Sequence, residues 1–99
     1  MLKKKFLKSR PVCKVTFYLP DAIEGEEAYL VGDFNDWSET ETPMERLKDG
    51  RFKVTLDLES GAEYQFRYLV DGDWHNDWEA DGYAPNPFSG DNSVVSTIE

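Results

Sequence analysis

Apolar and polar residues alternate in short runs along this chain, and glycine, proline, aspartate and asparagine separate the runs. Cys13, Val15, Phe17 and Leu19 alternate with Lys14, Thr16 and Tyr18, and Pro20-Asp21 ends that strand. A second strand is expected over about 27–31, with Ala28 and Leu30 inward. The polar stretch 33–43 reads as a loop leading to a short edge strand near 44–47. Lys48-Asp49-Gly50 reads as a hairpin turn, because Asp-Gly readily supplies positive φ. Phe52, Val54, Leu56 and Leu58 then alternate with Lys53, Thr55 and Asp57. Glu59-Ser60-Gly61 turns into a strand over 62–70, and Asp71-Gly72-Asp73 turns again before Trp74. Residues 76–91 read as irregular, since Pro85 and Pro87 exclude a central strand. A last strand is expected over 92–98.

No segment sustains a 3.6-residue apolar period over three turns, so helix has no foothold. Seven or eight short strands predict an all-β, two-sheet sandwich. The expected core contains Val15, Phe17, Leu30, Phe52, Val54, Leu56, Tyr64, Phe66 and Tyr68, which take alternate strand positions. A Cys…Trp…Cys pair of the antibody type is absent.

Length adds that 99 residues make one modest core and a single domain, expected over 11–99. The 3 Trp, 5 Tyr and 6 Phe argue for a folded globule despite a net charge of −9. That charge is uneven. Lys3, Lys4, Lys5, Lys8 and Arg10 crowd residues 1–10, which read as a basic, flexible lead-in. Residues 11–99 hold six basic groups against twenty acidic ones, a balance of −14. Such a body repels phosphate backbones and anionic lipid, so neither nucleic acid nor membrane is an expected partner. A neutral polysaccharide is indifferent to it. Apolar runs are too short to span a bilayer, and MLKKKFLKSR lacks the apolar stretch of a secretory signal. One cysteine, Cys13, forms no internal disulfide, which fits a reducing, cytoplasmic setting.

Carboxylates are plentiful, but Asp71, Asp73, Asp77, Glu79, Asp81 and Asp91 occupy turns and an irregular loop, where they are ordinary turn formers. No nucleophile elbow, phosphate loop or metal-spaced His/Cys set accompanies them, and His75 is the only histidine. An enzyme is therefore not expected, nor a cofactor. Asp71, Asp73 and His75 begin like a calcium loop, yet Asn76 stands where glycine is needed and Gly82 where glutamate should chelate. No metal site is expected.

Binding chemistry is better supplied. Trp37 in FNDWSE and Trp74 in DGDWHND lie in surroundings polar enough to predict exposed indoles. Arg67 points away from the face that carries Phe66 and Tyr68. A pyranose packs its C–H face on an indole, while its hydroxyls seek donors and acceptors such as Arg67 and Asn92. Two plates set at an angle suit the curve of a helical α-glucan. Trp78, between Asp77 and Glu79, either caps the core or joins this set.

The segments GDFNDW, YQFRYLVDGDW and DNSVV, in this order and spacing, resemble the glycogen-binding module of the AMP-activated protein kinase β-subunit. They are also similar to the N-terminal early-set domains of isoamylases and glycogen-branching enzymes. The similarity spans about 12–98. It implies an immunoglobulin-like sandwich that binds α-1,4-glucan without catalysis. It implies that Trp37 and Trp74 stack on sugar, that Arg67 replaces the kinase module's lysine, and that Phe88 replaces its leucine. Asn92 falls on the polar residue opening the last strand, while a threonine contact falls near Gly90 and is lost. The 77–87 loop, with Trp78, departs from the family pattern. Related domains also serve as scaffolds that pack on a catalytic partner, so the alternative is a module docking on a glycogen-metabolising enzyme. Both tryptophans together with Arg67 favour sugar binding, because docking alone would not require them.

Overall fold

The computed structural model describes residues 2–86 and 90–98. Nine strands are present among them: β1 Leu2–Phe6, β2 Val12–Tyr18, β3 Ala28–Gly32, β4 Glu45–Arg46, β5 Phe52–Glu59, β6 Glu63–Val70, β7 Asp73–His75, β8 Gly82–Pro85 and β9 Asp91–Ser96. They form two antiparallel sheets, ordered β1-β2-β5-β4 and β3-β6-β9-β8, with β7 also paired to β6. The architecture is a two-sheet β-sandwich, as the alternation predicts, of the immunoglobulin-like kind that the family resemblance implies.

Register decides which side chains face inward. Leu30 lies opposite Tyr68, and Phe66 opposite Ser93, so Leu30, Phe66, Tyr68 and Val95 share the inner face of the second sheet. Cys13, Val15 and Phe17 meet them from the first sheet. Phe66 sits edge-on to Phe17 at 5.1 Å and to Tyr68 at 5.6 Å, an arrangement that suits aromatic quadrupoles. Of the expected core, Val54, Leu56 and Tyr64 are only partly buried against it. Cys13, Leu19, Ala28, Met44, Leu58, Val70 and Val95 complete the interior.

The flexible lead-in is not what forms. Leu2–Phe6 pairs with β2, Leu2 opposite Phe17 and Phe6 opposite Cys13, and both apolar ends pack on the core. Three consecutive lysines hide this alternation in the sequence. Lys4 faces the sandwich edge and meets Asp81 of the other sheet at 2.6 Å, while Lys3 lies over the Tyr18 ring. The stems cover apolar surface and the ammonium groups keep edge strand β1 from pairing further.

Residues 76–91 are also more regular than expected. Gly82–Pro85 pairs with β9 at the sheet edge, where a proline loses no ladder bond. The expected edge strand over 44–47 shortens to Glu45–Arg46. Beyond β9, buried Thr97 donates from Oγ1 to the Glu59 carbonyl at 2.7 Å and accepts from the Ala62 amide at 3.0 Å. Among the described residues no helix is long and apolar enough to cross a membrane.

Candidate functional site

The outer face of the β3-β6-β9-β8 sheet is built by the residues that alternate with the core. Along β6 these are Gln65, Arg67 and Leu69, between inward Tyr64, Phe66, Tyr68 and Val70. Val31 lies opposite Arg67, Trp74 opposite Leu69, and Val94 opposite Gln65. One face therefore gathers Arg67 and Trp74, and the guanidinium carbon stands 5.9 Å from the indole centroid.

Trp74 reaches this position through a tight turn. Asp71 and Gly72 both have positive φ, 49° and 87°, the pattern of a type I′ hairpin. The Asp71 carboxylate accepts from the Glu26 and Glu27 amides at 3.0 Å, and its own amide donates to the Glu27 carbonyl at 3.0 Å. Those bonds, the Glu26 amide foremost, hold the Asp71 carboxyl below its ordinary 3.8. A carboxyl lowered on folding adds stability that is fully present above 3.8 and lost as pH falls through its folded value. Asp71→Asn keeps a residue that tolerates positive φ and removes the titration. The wild type is expected to out-melt this variant at neutral pH, with the difference shrinking below 3.8 in thermal scans across pH.

Arg67 is held half-buried between its neighbours, and its Nε is buried without a hydrogen-bond partner among the described residues. A buried N–H of a charged group with no acceptor is costly, and a ligand oxygen or water is its natural complement.

Trp37 is fixed by a different device. Asp36 and Trp37 both adopt left-handed backbone, φ 55° and 57°, which is strained for a bulky residue. The short 3-10 turn Asp33–Asn35 leads into them. The Trp37 amide donates to the Gly32 carbonyl at 2.9 Å, and its indole Nε1 donates to Asp33 Oδ1 at 2.9 Å. The other Asp33 oxygen accepts from the Gln65 amide at 2.7 Å, which ties the indole to β6. Beneath, buried Asn35 accepts from the Gly32 amide and donates to the Leu30 carbonyl and Thr42 Oγ1. Phe34 enters the core beside Phe17 and Tyr64. Trp37 is therefore half-buried rather than fully exposed, because its indole nitrogen is used by Asp33. Trp74 is 40% exposed, as its polar surroundings predict.

Asn92 is placed differently from expectation. It is 7% exposed; its Nδ2 donates to Gln65 Oε1 and its Oδ1 accepts from Asn86 Nδ2, both at 3.0 Å. Its amide is spent on neighbours, and Gln65 carries the polar surface beside Arg67. Phe88 lies outside the described residues. Trp78 does not cap the core: it is 65% exposed. The sequence reading missed Asp33 and Gln65 as positioning residues. Their signals were present, an acid four residues before Trp37 and an amide two before Arg67 on the same strand face.

Three carboxylates of the 71–81 segment, Asp71, Asp77 and Asp81, are committed to structure. Asp77 is fully buried, accepting from the Tyr68 hydroxyl at 2.8 Å and the Glu79 amide at 2.8 Å. Burial, and next the Asp77 charge, push the Tyr68 phenol well above its ordinary value. A cleft of about 800 Å³ lies elsewhere, with Asp21, Glu24, Arg46 and Arg51 among its walls and neither Trp37, Arg67 nor Trp74.

The family described as the glycogen recognition site of AMP-activated protein kinase matches residues 14–94, from β2 into β9. The chain belongs to this family. The match includes Trp37, Arg67 and Trp74. Among curated relatives, the pig 5'-AMP-activated protein kinase subunit beta-1 is 45% identical over 53 residues, which is 54% of this chain and 40% of that protein. The mouse subunit beta-2 is 40% identical over 53 residues, 54% of this chain and 18% of that protein. The rice protein FLOURY ENDOSPERM 6, chloroplastic, is 36% identical over 62 residues, 63% of this chain and 11% of its own length. The chain thus spans well under half the length of these relatives.

Proposed function

We propose that this glycogen-recognition domain binds α-1,4-glucans, such as glycogen, starch and maltooligosaccharides, without cleaving them. The platform is the outer face of the β3-β6-β9-β8 sheet. The observation that carries this reading is the exposed Trp74 indole beside Arg67, whose buried Nε has no acceptor among the described residues. Trp74 and Trp37 offer two apolar plates for pyranose faces. Arg67 offers donors to hydroxyls, Asn92 orients Gln65 from the neighbouring strand on the same face, and Phe88 takes the family's apolar contact position. The non-catalytic half is supported by the carboxylates, since Asp71, Asp77 and Asp81 are engaged with backbone, Tyr68 and Lys4. Buried Cys13 suits a cytoplasmic setting.

A shallow platform of this size gives micromolar to millimolar affinity, about −8 to −4 kcal/mol. Titration calorimetry with β-cyclodextrin is expected to show saturable heat in that range. No heat at millimolar ligand refutes the binding reading, and reducing sugar released by pure protein refutes its non-catalytic half.

Docking on a glycogen-metabolising enzyme has an observation of its own. The other sheet's outer face carries Lys3, Lys5, Lys14 and Lys53 together with Glu45, Asp57 and Glu59, a mixed-charge surface on the side away from the platform. A partner surface of matching mixed charge is the complement of that face.

A further inference from the structure

We propose that Trp78 and Tyr83 form a second sugar-stacking site at the β8 edge, which takes another stretch of the same α-glucan polymer. This inference rests on the glucan-binding reading above. Trp78 is 65% exposed and Tyr83 50%, both more open to solvent than Trp74 at 40%. Neither belongs to the platform. After Trp74 the chain leaves the outer face and dives to Asp77, which is fully buried against Tyr68 on the inner side. It then re-emerges at the sandwich edge, where Asp81 meets Lys4 of β1 and β8 begins.

Both rings stand on a fixed base. The Asp77 amide donates to Ser93 Oγ at 2.9 Å, and its Oδ1 accepts from the Glu79 amide, so the backbone is held on each side of Trp78. Ser93 Oγ in turn donates to Asn76 Oδ1, and Asn76 Nδ2 to the Asp91 carbonyl. The Tyr83 hydroxyl donates to the Asp77 carbonyl at 2.6 Å, so the tip of the Tyr83 ring lies beside the backbone from which Trp78 projects. A fully buried carboxylate thus anchors a mostly exposed indole. A fixed backbone beneath Trp78 and a tethered Tyr83 ring reduce the conformational freedom lost on meeting a ligand.

The chemistry around them suits a neutral sugar. Exposed Glu79 is an acceptor for hydroxyls, and Lys4 has ammonium protons beyond the one it gives Asp81. Two rings expose far less than the roughly 800 Å² per partner of a stable protein interface. A branched polymer that holds Trp74 with one chain and Trp78 with another gains avidity that a short ligand does not.

The test compares full-length wild type, Trp78→Ala, Trp78→Phe and Trp74→Ala by glycogen co-sedimentation and β-cyclodextrin calorimetry, with thermal melting as the fold control. Trp78→Ala is expected to weaken glycogen binding about tenfold or more. Its β-cyclodextrin response at the Trp74 platform stays at the wild-type value, and Trp78→Phe restores much of the glycogen affinity. In Trp74→Ala a weak β-cyclodextrin response remains and shifts the Trp78 indole N–H resonance. Wild-type glycogen affinity in Trp78→Ala, with loss in Trp74→Ala, overturns the second site and leaves the platform standing. Undiminished binding of both ligands by Trp74→Ala instead refutes the platform. Self-association of the wild type that Trp78→Ala abolishes overturns the proposal in favour of a contact between copies.

Discussion

Trp74→Ala is expected to remove most glucan binding while the sandwich melts within a few degrees of wild type. Central aromatic contacts in binding sites are worth about 2 kcal/mol or more, which is roughly thirtyfold in affinity. Trp74 is 40% exposed on the three-residue strand β7, and its ring meets Arg67 rather than the interior cluster. Its truncation therefore leaves no cavity, and the stability cost stays below about 1 kcal/mol. Trp37→Ala behaves differently. Trp37 is half-buried, its indole nitrogen is bonded to Asp33, and alanine inherits the left-handed backbone, so both binding and stability fall. Arg67→Ala weakens binding with little dependence on salt, because neutral hydroxyl partners release no counterions. Paired melting and glucan titration on each variant check these outcomes. If Trp74→Ala melts many degrees lower and its folded fraction binds glucan normally, the docking reading takes the platform's place.

Gly32→Ala is expected to be among the most destabilising single-methyl additions in the chain. A Cβ there would stand 2.5 Å from the Gln65 carbonyl oxygen, 2.8 Å from Phe34 Cζ and 2.9 Å from Phe66 Cβ. The closest of these is backbone of β6, a central strand paired on both sides, and it has nowhere to retreat. The glycine is required for space, not for its dihedral angles, since φ of −173° is ordinary extended backbone. Overpacking of this kind costs about 1–3 kcal/mol or more. In a domain of this size each kcal/mol lowers the melting temperature by about 4–8 °C. Glucan affinity falls with it, because the Gly32 carbonyl accepts the Trp37 amide and the Gly32 amide donates to Asn35. Thermal melting of Gly32→Ala against Gly50→Ala separates the mechanisms. Gly50, at φ 91° with no atom near its absent Cβ, suffers only the backbone penalty. Equal melting of the two variants would mean that β3 yields and the close approach is not tight.

The sequence by itself determined the sheet content, most of the inward residues and the face that Arg67 takes. Period-two alternation is a local signal, so Val15, Phe17, Leu30, Phe66 and Tyr68 declare their face without knowledge of their partners. The same period puts Arg67 on the opposite face, and the Asp71-Gly72 pair announces the turn that carries Trp74 back onto β6. What tertiary structure decided depends on residues far apart in the chain. Residues 2–6 become a strand because β2 offers its free edge and the core accepts Leu2 and Phe6, while Asp81, 77 residues from Lys4, receives its charge. Asn92 is withdrawn from the surface because Gln65 and Asn86 satisfy its amide. Trp37 holds a strained backbone because Asp33 links its indole to the Gln65 amide. Trp78, ambiguous between core and surface by composition, is turned outward because its neighbour Asp77 finds the Tyr68 hydroxyl inside. Alternation sets the face a strand residue takes, whereas the partners of a polar side chain are set by which strands the fold brings together.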